Sequence, residues 1–306
     1  MSTDAIQKKI VELVNLAKES GVDISKELDT LENKIQETLQ SEKAWKQVEL
    51  ARHPDRPYSL DYINRIFTDF TELHGDRAFG DDPAMVCGLA FLENRPVTII
   101  ANQKGRTLQE RVERNAGMAN PEGYRKALRM AQQAEKFRRP IITFVDTVGA
   151  FPGLGAEERG IGESIARNLR DFSQLKTPII CVIIGEGGSG GALGICVGDK
   201  IYMLENAIYS VISPEGCASI LLRDSSRARD AAAMLRISSS DLMTFNVING
   251  IIKEPEGGAH TNPDAAAALI KKVLADDITE LSKHTPEVLV RYRNQKIRMI
   301  GKWKEN

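Results

Sequence analysis

The chain has 306 residues, of which 42% are hydrophobic and 27% are charged, and its formal net charge is −1. This composition is typical of a globular protein with a sizeable core, built as one large domain or two small ones. A net charge near zero provides no global field that would favour nucleic acid or a membrane. The N-terminus is polar and no apolar run is long enough to span a bilayer, so we expect a cytoplasmic protein.

The four cysteines predict neither disulfides nor a metal site, because none of them belongs to a CxxC pair. Two of them lie in apolar runs, which is typical of reduced thiols in a protein core. They are Cys87, Cys181, Cys196 and Cys217.

Residues 4–44 carry apolar side chains at helical spacing in two stretches, which are separated by Gly21-Val22-Asp23. The pattern predicts two helices joined by a short loop, and we assign residues 1–50 to an N-terminal helical hairpin. Each apolar stripe is narrow and needs a partner surface. That surface is either the body of the chain or another subunit.

A proline-punctuated linker at residues 51–58 precedes an alternation of strand-like and helical runs. The alternation predicts an α/β domain with right-handed crossovers over residues 51–260, followed by a helical tail over 261–306. The predicted strands are 97–101, 141–145, 179–184, 201–204 and 208–212. The predicted helices are 122–137, 157–175, 191–197, 214–222 and 226–235.

The segment at residues 185–191 has the sequence GEGGSGG and directly follows the apolar run 178–184. Glycine lets the backbone approach a ligand closely, and a helix that starts after such a turn points unpaired N–H groups at an anion. No Gly-Lys-Ser/Thr follows, and the spacing differs from the dinucleotide fingerprint. The segment therefore predicts an anion or oxyanion site of another kind, with an ordinary tight turn as the alternative.

A second strand runs into the turn Gly149-Ala150, and the helix predicted from residue 157 follows it. In α/β sheets, sites gather at the carboxyl ends of neighbouring strands. Two such turns can bring two N–H donors to one point, which is the arrangement of an oxyanion hole.

Ser189 is the one candidate nucleophile in these turns, but a nucleophilic serine needs a base nearby. None of the four histidines follows a strand end of the α/β body, and Lys200 is the candidate for a serine–lysine dyad. A small residue in a tight turn is the favoured interpretation of Ser189. The histidines are His53, His74, His260 and His284.

Together these segments resemble the α subunit of the acetyl-CoA carboxylase carboxyltransferase of bacteria and plastids. The resemblance covers about residues 45–260 and is specific, because eight motifs occur in order. They are ARHPDRP at 51–57, ELHGDR at 72–77, GMA at 117–119, PEGYRKA at 121–127, GAEERG at 155–160, GEGGSGGAL at 185–193, YSVISPEG at 209–216 and EGGAH at 256–260.

The resemblance implies a crotonase-like (ClpP/crotonase) β/α spiral with an N-terminal helical extension, in one half of an α2β2 enzyme. The other half is a β subunit with a zinc ribbon. The reaction moves a carboxyl group from carboxybiotin, held on the biotin carboxyl carrier protein, to acetyl-CoA and gives malonyl-CoA for fatty acid biosynthesis. Biotin carboxylase completes this ATP-binding complex.

The resemblance also implies that no protein side chain acts as the base and that the α subunit holds the ureido oxygen of biotin. We assign that role to the N–H groups of Gly190 and Gly191, with Gly149 and Ala150 as the second donor turn. The carboxybiotin-binding segment is Gly187, Gly188, Gly190 and Gly191, and we expect no metal in this chain. A β-branched residue at position 191 is expected to block biotin and leave assembly intact.

The segment 104–139 holds ten Lys and Arg residues against four Glu. It is either a solvated helix face or a surface that meets CoA phosphates, and Arg125 is the position we choose to distinguish the two.

Two departures from the family pattern stand out. Val148 occupies a position where the family usually has proline, which we expect to tune the donor turn without abolishing it. Residues 221–249 also drift from the usual sequence. The alternatives are a subunit of a related biotin-dependent acyl-CoA carboxylase or decarboxylase, a serine peptidase that uses Ser189, and a subunit without turnover.

Overall fold

A computed structural model describes residues 25–301, apart from the side chains of Ser25 and residues 27–29, 31–32 and 36–37. The first helix of the predicted hairpin and its turn lie outside the described residues. The second helix is confirmed as α1, Ser25–Ala51, and it continues past residue 44 into the first residue of the predicted linker.

The described strands form one mixed sheet. Their bounds are β1 Thr68–Glu72, β2 Met85–Leu92, β3 Arg95–Asn102, β4 Ile141–Thr147, β5 Ile179–Gly188, β6 Lys200–Leu204, β7 Ile208–Ser210 and β8 Gly250–Ile252. The strand order is β1-β2-β3-β4-β5-β6-β8, and β7 pairs with β5 beyond the end of β6. The first three strands pair antiparallel, and all later pairings are parallel.

Helices cover both faces of this sheet. Those after α1 are α2 Ser59–Ile66, α3 Leu108–Glu113, α4 Pro121–Lys136, α5 Leu154–Glu158, α6 Ile161–Gln174, α7 Ser189–Leu193, α8 Pro214–Cys217, α9 Ala228–Leu235, α10 Ser239–Thr244, α11 Pro263–Leu281 and α12 Pro286–Arg298. A π-helical turn, Ala218–Leu222, continues α8. None of the described helices combines the length and the apolarity that crossing a bilayer requires.

The core lies around β4 and β5, whose side chains are almost all buried. Strands that are covered on both faces read as continuous apolar runs rich in β-branched residues, which is why both could be predicted. The carboxyl ends of these two strands lie side by side and carry the two glycine turns.

Several predicted boundaries are wrong. The helix predicted over 157–175 is two helices, because Gly160 adopts a left-handed conformation with φ of +79° between them. The helix predicted over 191–197 begins at Ser189 and ends at Leu193, and the strand predicted over 208–212 ends at Ser210. The sequence did not predict α2, α3, β1, β2 or β8, of which β1 is a mostly polar edge strand.

The helices α11 and α12 pack against the body of the protein. Ile270, Leu274 and Ile278 belong to the main core, and Arg293 of α12 is only 1% exposed. The Arg293 guanidinium binds both carboxylate oxygens of Asp199 at 3.0 and 2.8 Å. It also donates to the backbone carbonyls of Phe172, Leu175 and Thr177. These bonds fix α12 to the end of α6 and the loop after it. The division into three domains at residues 50 and 260 stays a prediction.

We expect Arg293→Met to lower the free energy of unfolding by roughly 3–5 kcal/mol, because it leaves the buried Asp199 carboxylate without its counter-charge. The matched control is Arg291→Met on the exposed side of the same helix, with a change within about 0.5 kcal/mol. Urea titration followed by circular dichroism measures both. Equal losses in the two variants would contradict the structural role of Arg293.

Candidate functional site

The two glycine turns are in direct contact. In the parallel pairing of β4 with β5, Thr147 lies opposite Gly187. A Cβ atom built on Gly188 would lie 2.1 Å from the carbonyl oxygen of Val148, and one on Gly191 would lie 2.3 Å from the carbonyl carbon of Gly149. No side chain can be accommodated at either glycine without moving backbone. The contact therefore depends on glycine at both positions.

Some of the backbone N–H groups at this contact are already hydrogen-bonded within the protein, and others are not. Gly190 and Gly191 lie in the first turn of α7, where N–H groups have no carbonyl of a preceding turn to bind. In the other turn, the Gly149 N–H donates to Thr147 Oγ1 at 3.2 Å. The Ala150 N–H donates to no acceptor among the described residues. The unengaged donors of the two turns are thus those of Gly190, Gly191 and Ala150.

Helix α7 is held from behind by buried polar side chains. The Tyr124 hydroxyl donates to the Gly191 carbonyl at 3.2 Å. The Asn168 side-chain amide donates to the carbonyls of Tyr124 and Gly194, each at 3.0 Å. Burial raises the pKa of Tyr124 well above its ordinary value, so its hydroxyl stays neutral and a donor. These bonds fix the direction in which the first turn of α7 presents its N–H groups.

A small hollow lies beside the glycine segment. Apolar side chains form much of its wall, and one of them, Val148, is 42% exposed. Its lining residues are Arg52, Val148, Glu186, Gly187, Gly188, Ile208, Ser210, Ile212, Ser213 and Pro214. Larger clefts, of about 450 and 550 Å³, flank α1 and do not include the glycine turns. The hollow is therefore the only one of these cavities that the turns themselves line.

A chain of alternating charges underlies both turns, and sequence reasoning missed it. Arg52 Nε lies 2.7 Å from a carboxylate oxygen of Glu186, and Arg52 Nη1 lies 2.7 Å from Glu215. Lys104 Nζ lies 2.9 Å from Glu186 and 2.8 Å from Asp146. No sequence motif predicts this cluster, because its five members come from five separate segments of the chain.

The charge chain sets the protonation states beneath the turns. Burial by itself raises the pKa of Glu186, but the charges of Lys104 and Arg52 outweigh burial and hold that pKa below its ordinary value. Burial lowers the pKa of Lys104, yet Asp146 and Glu186 raise it above its ordinary value overall. Both groups are therefore charged at neutral pH, and Lys104 is not available as a base.

Ser189 has no catalytic partner among the described residues. His53 stacks on His260 with ring centroids 3.7 Å apart, His74 bonds to Asp81, and His284 lies edge-on to Tyr292. Lys200 pairs with Ile180 near the start of β5, whereas Ser189 follows the end of that strand. A dyad of Ser189 with Lys200 is thus wrong. Ser189 itself has φ of +51°, a left-handed conformation that the sharp strand-to-helix turn imposes.

The basic segment 104–139 is largely occupied within the protein. Arg125 Nε lies 2.7 Å from the buried Asp76, and Arg125 also donates to the Arg159 carbonyl. Arg159 in turn donates from Nε and Nη2 to the two carboxylate oxygens of Glu122. A substitution of Arg125 would disturb this packing, so that position cannot distinguish a phosphate-binding surface from a solvated face. Within residues 25–301, no cluster of three or more potential ligands is placed to hold a metal ion.

A sequence model of the family described as acetyl co-enzyme A carboxylase carboxyltransferase-like matches residues 2–301. The chain belongs to this family. The match extends beyond the 45–260 of the predicted resemblance to both ends of the chain. The carboxyltransferase subunit alpha of Treponema denticola is 67% identical over 293 residues, which cover 96% of each chain. The corresponding subunit of Oceanobacillus iheyensis is 50% identical, over 97% of this chain and 95% of its own.

Solved structures establish the fold of this carboxyltransferase-family chain. It resembles transcarboxylase 12S with methylmalonyl-coenzyme A bound, with a TM-score of 0.55 and 23% identity over 69% of this chain and 40% of that one. It also resembles a Pseudomonas malonate decarboxylase heterotetramer in complex with coenzyme A, with a TM-score of 0.57 and 16% identity over 72% of this chain and 90% of that one. The predicted crotonase-like α/β fold is confirmed.

Gly191 and Gly190 differ in the space available for a side chain, which leads to a prediction about stability. A Cβ at Gly191 meets the Gly149-Ala150 backbone at 2.3–2.6 Å, whereas one at Gly190 has only Ile165 as a neighbour, at 3.7 Å. We expect Gly191→Ala to lower the free energy of unfolding by roughly 1–3 kcal/mol through overpacking, and Gly190→Ala to leave it nearly unchanged. Urea unfolding measures both.

If Gly191→Ala were as stable as the native chain, the close contact would be contradicted. The same clash argues against a β-branched residue at position 191 as a block that leaves the structure intact, so position 190 is the better one for such a test.

Proposed function

We propose that this chain is the α subunit of a carboxyltransferase that moves a carboxyl group from carboxybiotin to acetyl-CoA and gives malonyl-CoA for fatty acid synthesis. The observation that carries the proposal is the 67% identity to a carboxyl transferase subunit alpha across nearly the whole chain. In this proposal a zinc-ribbon β subunit completes an α2β2 enzyme. The biotin carboxyl carrier protein delivers carboxybiotin, biotin carboxylase charges it, and the complex works in the cytoplasm.

The donor set of the glycine turns suits carboxybiotin. When bound, carboxybiotin supplies the carboxyl group and a ureido oxygen that gains negative charge as that group leaves. The N–H groups of Gly190 and Gly191 and the N–H of Ala150 come from two turns in contact, and none is engaged elsewhere among the described residues. Fixed backbone dipoles of this kind stabilise developing negative charge without reorganisation. We therefore place the ureido oxygen at these three donors, with Gly187 and Gly188 beside the ring.

The absence of a base near the turns fits the same reaction. Lys104 binds Glu186 at the end of β5, and its raised pKa keeps it protonated. The histidines of the described residues bind elsewhere. A site that offers N–H dipoles and no side-chain base suits a reaction in which no protein group has to take the substrate proton.

Exposed apolar side chains support a partner surface beside the hollow. Val211, Ile220 and Leu221 are 75%, 68% and 66% exposed, and they flank Ser213 and Pro214 of the hollow in sequence. Large apolar side chains in such numbers on one segment are typical of surfaces that another protein covers. We propose that the β subunit covers this segment and brings acetyl-CoA to the turns.

A subunit of a related acyl-CoA carboxylase or decarboxylase is the alternative. The observation that favours it is Val148, whose exposed side chain lines the hollow where the family usually has proline. A different acyl-CoA would be accepted by the same donors, so the two functions differ in substrate and share the site.

The function is tested by measuring malonyl-CoA formation from acetyl-CoA and carboxybiotin with this chain alone, with its β subunit alone, and with both. Turnover only in the mixture is the expected result. A stable complex of the two subunits that turns over propionyl-CoA and leaves acetyl-CoA untouched would establish the alternative. A complex without turnover of either substrate would contradict both.

The donor assignment predicts that Ala150→Pro lowers kcat by roughly 10²–10³-fold, because proline has no N–H to place at the oxyanion. The matched control is Ser189→Ala in the neighbouring turn, which keeps every backbone donor and is expected to retain kcat within about threefold. Steady-state kinetics of the assembled enzyme measure both. Loss of activity in Ser189→Ala alone would contradict the backbone site and favour a serine nucleophile.

A further inference from the structure

We propose that Lys104 is a positioning residue that sets the separation of the two donor turns by binding Asp146 and Glu186 to each other. The inference rests on the proposed function for what the turns do.

Asp146 and Glu186 lie at equivalent places before the two turns. Asp146 precedes Val148 by two residues in β4, and Glu186 precedes Gly188 by two residues in β5. Both carboxylates are buried, with exposures of 1% and 6%. The Lys104 ammonium lies between them, 2.8 Å from Asp146 and 2.9 Å from Glu186. One cation therefore joins the ends of the two strands that carry the donors.

The regular pairing of β4 with β5 is interrupted just before the two turns. The β4–β5 register shifts between Val145 and Thr147, at the position of Asp146. There the Glu186 N–H donates to Asp146 Oδ1 at 3.0 Å in place of a strand carbonyl. A Cβ on Gly185 would lie 2.5 Å from the same oxygen, so the side chain of Asp146 fills the space between the strands. At the last residues of β4 and β5, side chains thus supplement the one remaining strand pairing, that of Thr147 with Gly187.

Without a cation, two carboxylates in this space repel each other or share a proton. Like charges a few ångströms apart in a buried site raise the pKa of one partner strongly. The other charged groups of the cluster are Arg52, which binds Glu186, and Glu215, which binds Arg52. The buried Tyr62 hydroxyl also lies near Asp146 and stays neutral, because burial raises its pKa. Of the two buried carboxylates before the turns, Arg52 binds only Glu186, so Lys104 is the group that compensates Asp146.

The test is Lys104→Met, which keeps the length and the apolar stem of the side chain and removes its charge. At low pH the two carboxyl groups retain a proton and stay together, and as pH rises that proton is lost and the strand ends separate. We expect kcat of the assembled enzyme near that of wild type at pH 6 and roughly 10–100-fold lower at pH 8.5. The KM for acetyl-CoA is expected to stay unchanged.

Two further variants separate charge from packing. Lys104→Met combined with Asp146→Asn removes one charge of each sign while the Asn oxygen can still accept the Glu186 N–H, so we expect a flat pH profile and kcat within about tenfold of wild type. The control is Lys126→Met, a fully buried lysine whose ammonium binds Asp81 and the Asp82 carbonyl, away from both turns. We expect it to lose stability with no change in the pH dependence of kcat.

The inference is overturned by a Lys104→Met enzyme with wild-type kcat at pH 8.5, or by a double variant that is as impaired as the single one at that pH. A crystal structure of Lys104→Met at pH 8.5 reads the spacing without any turnover. A change of more than about 0.5 Å between Ala150 N and Gly190 N is expected, and an unchanged distance overturns the inference. An inactive wild-type mixture, by contrast, would count against the proposed function and leave this structural readout decisive.

Discussion

A Cβ atom does not fit between the turn at Val148–Ala150 and the start of helix α7, at either Gly188 or Gly191. The donors at this contact are backbone N–H groups, which cannot be redirected by choosing another rotamer. Their positions follow only from where β4 and β5 end and from what holds those ends. The parallel pairing of the two strands, the bond from Tyr124 to Gly191 and the charge chain all act on that one distance. When the donors are backbone groups, the side chains that matter are those that hold the backbone in place around them.

The side chains that hold the ends of β4 and β5 form ion pairs and are not apolar. Buried ion pairs add little net stability, because desolvation cancels much of the attraction between the charges. They do specify geometry, since each charge must meet its partner at hydrogen-bond distance. The pair of Arg56 and Glu254, whose side chains are 1% and 0% exposed, extends the pattern by bonding the segment after α1 to the loop after β8. A site made of backbone donors needs such a single, fixed arrangement.

The sequence predicted the elements whose signals are local. The buried strands β4 and β5 read as continuous apolar runs, and glycine marked both turns. The edge strand β1 was missed because its short TDFTE pattern is mostly polar, and β2 was missed although it is apolar, since Cys87-Gly88 interrupts it. The charge chain has no local signal at all, because it joins residues that are neighbours only in the folded chain. The capture of the Gly149 N–H by Thr147 Oγ1 depends on one side-chain torsion and was likewise beyond the sequence.

The position of Lys104 also bears on chemical selectivity. A lysine amine becomes a nucleophile only when it is neutral, and a neutral amine beside an activated carboxyl donor would be carboxylated to a carbamate. Asp146 and Glu186 keep the Lys104 ammonium protonated, with a pKa above its ordinary value. If the turns bind carboxybiotin as proposed, the lysine beneath them is therefore inert toward its carboxyl group, and a cation can lie close to the site without consuming that group.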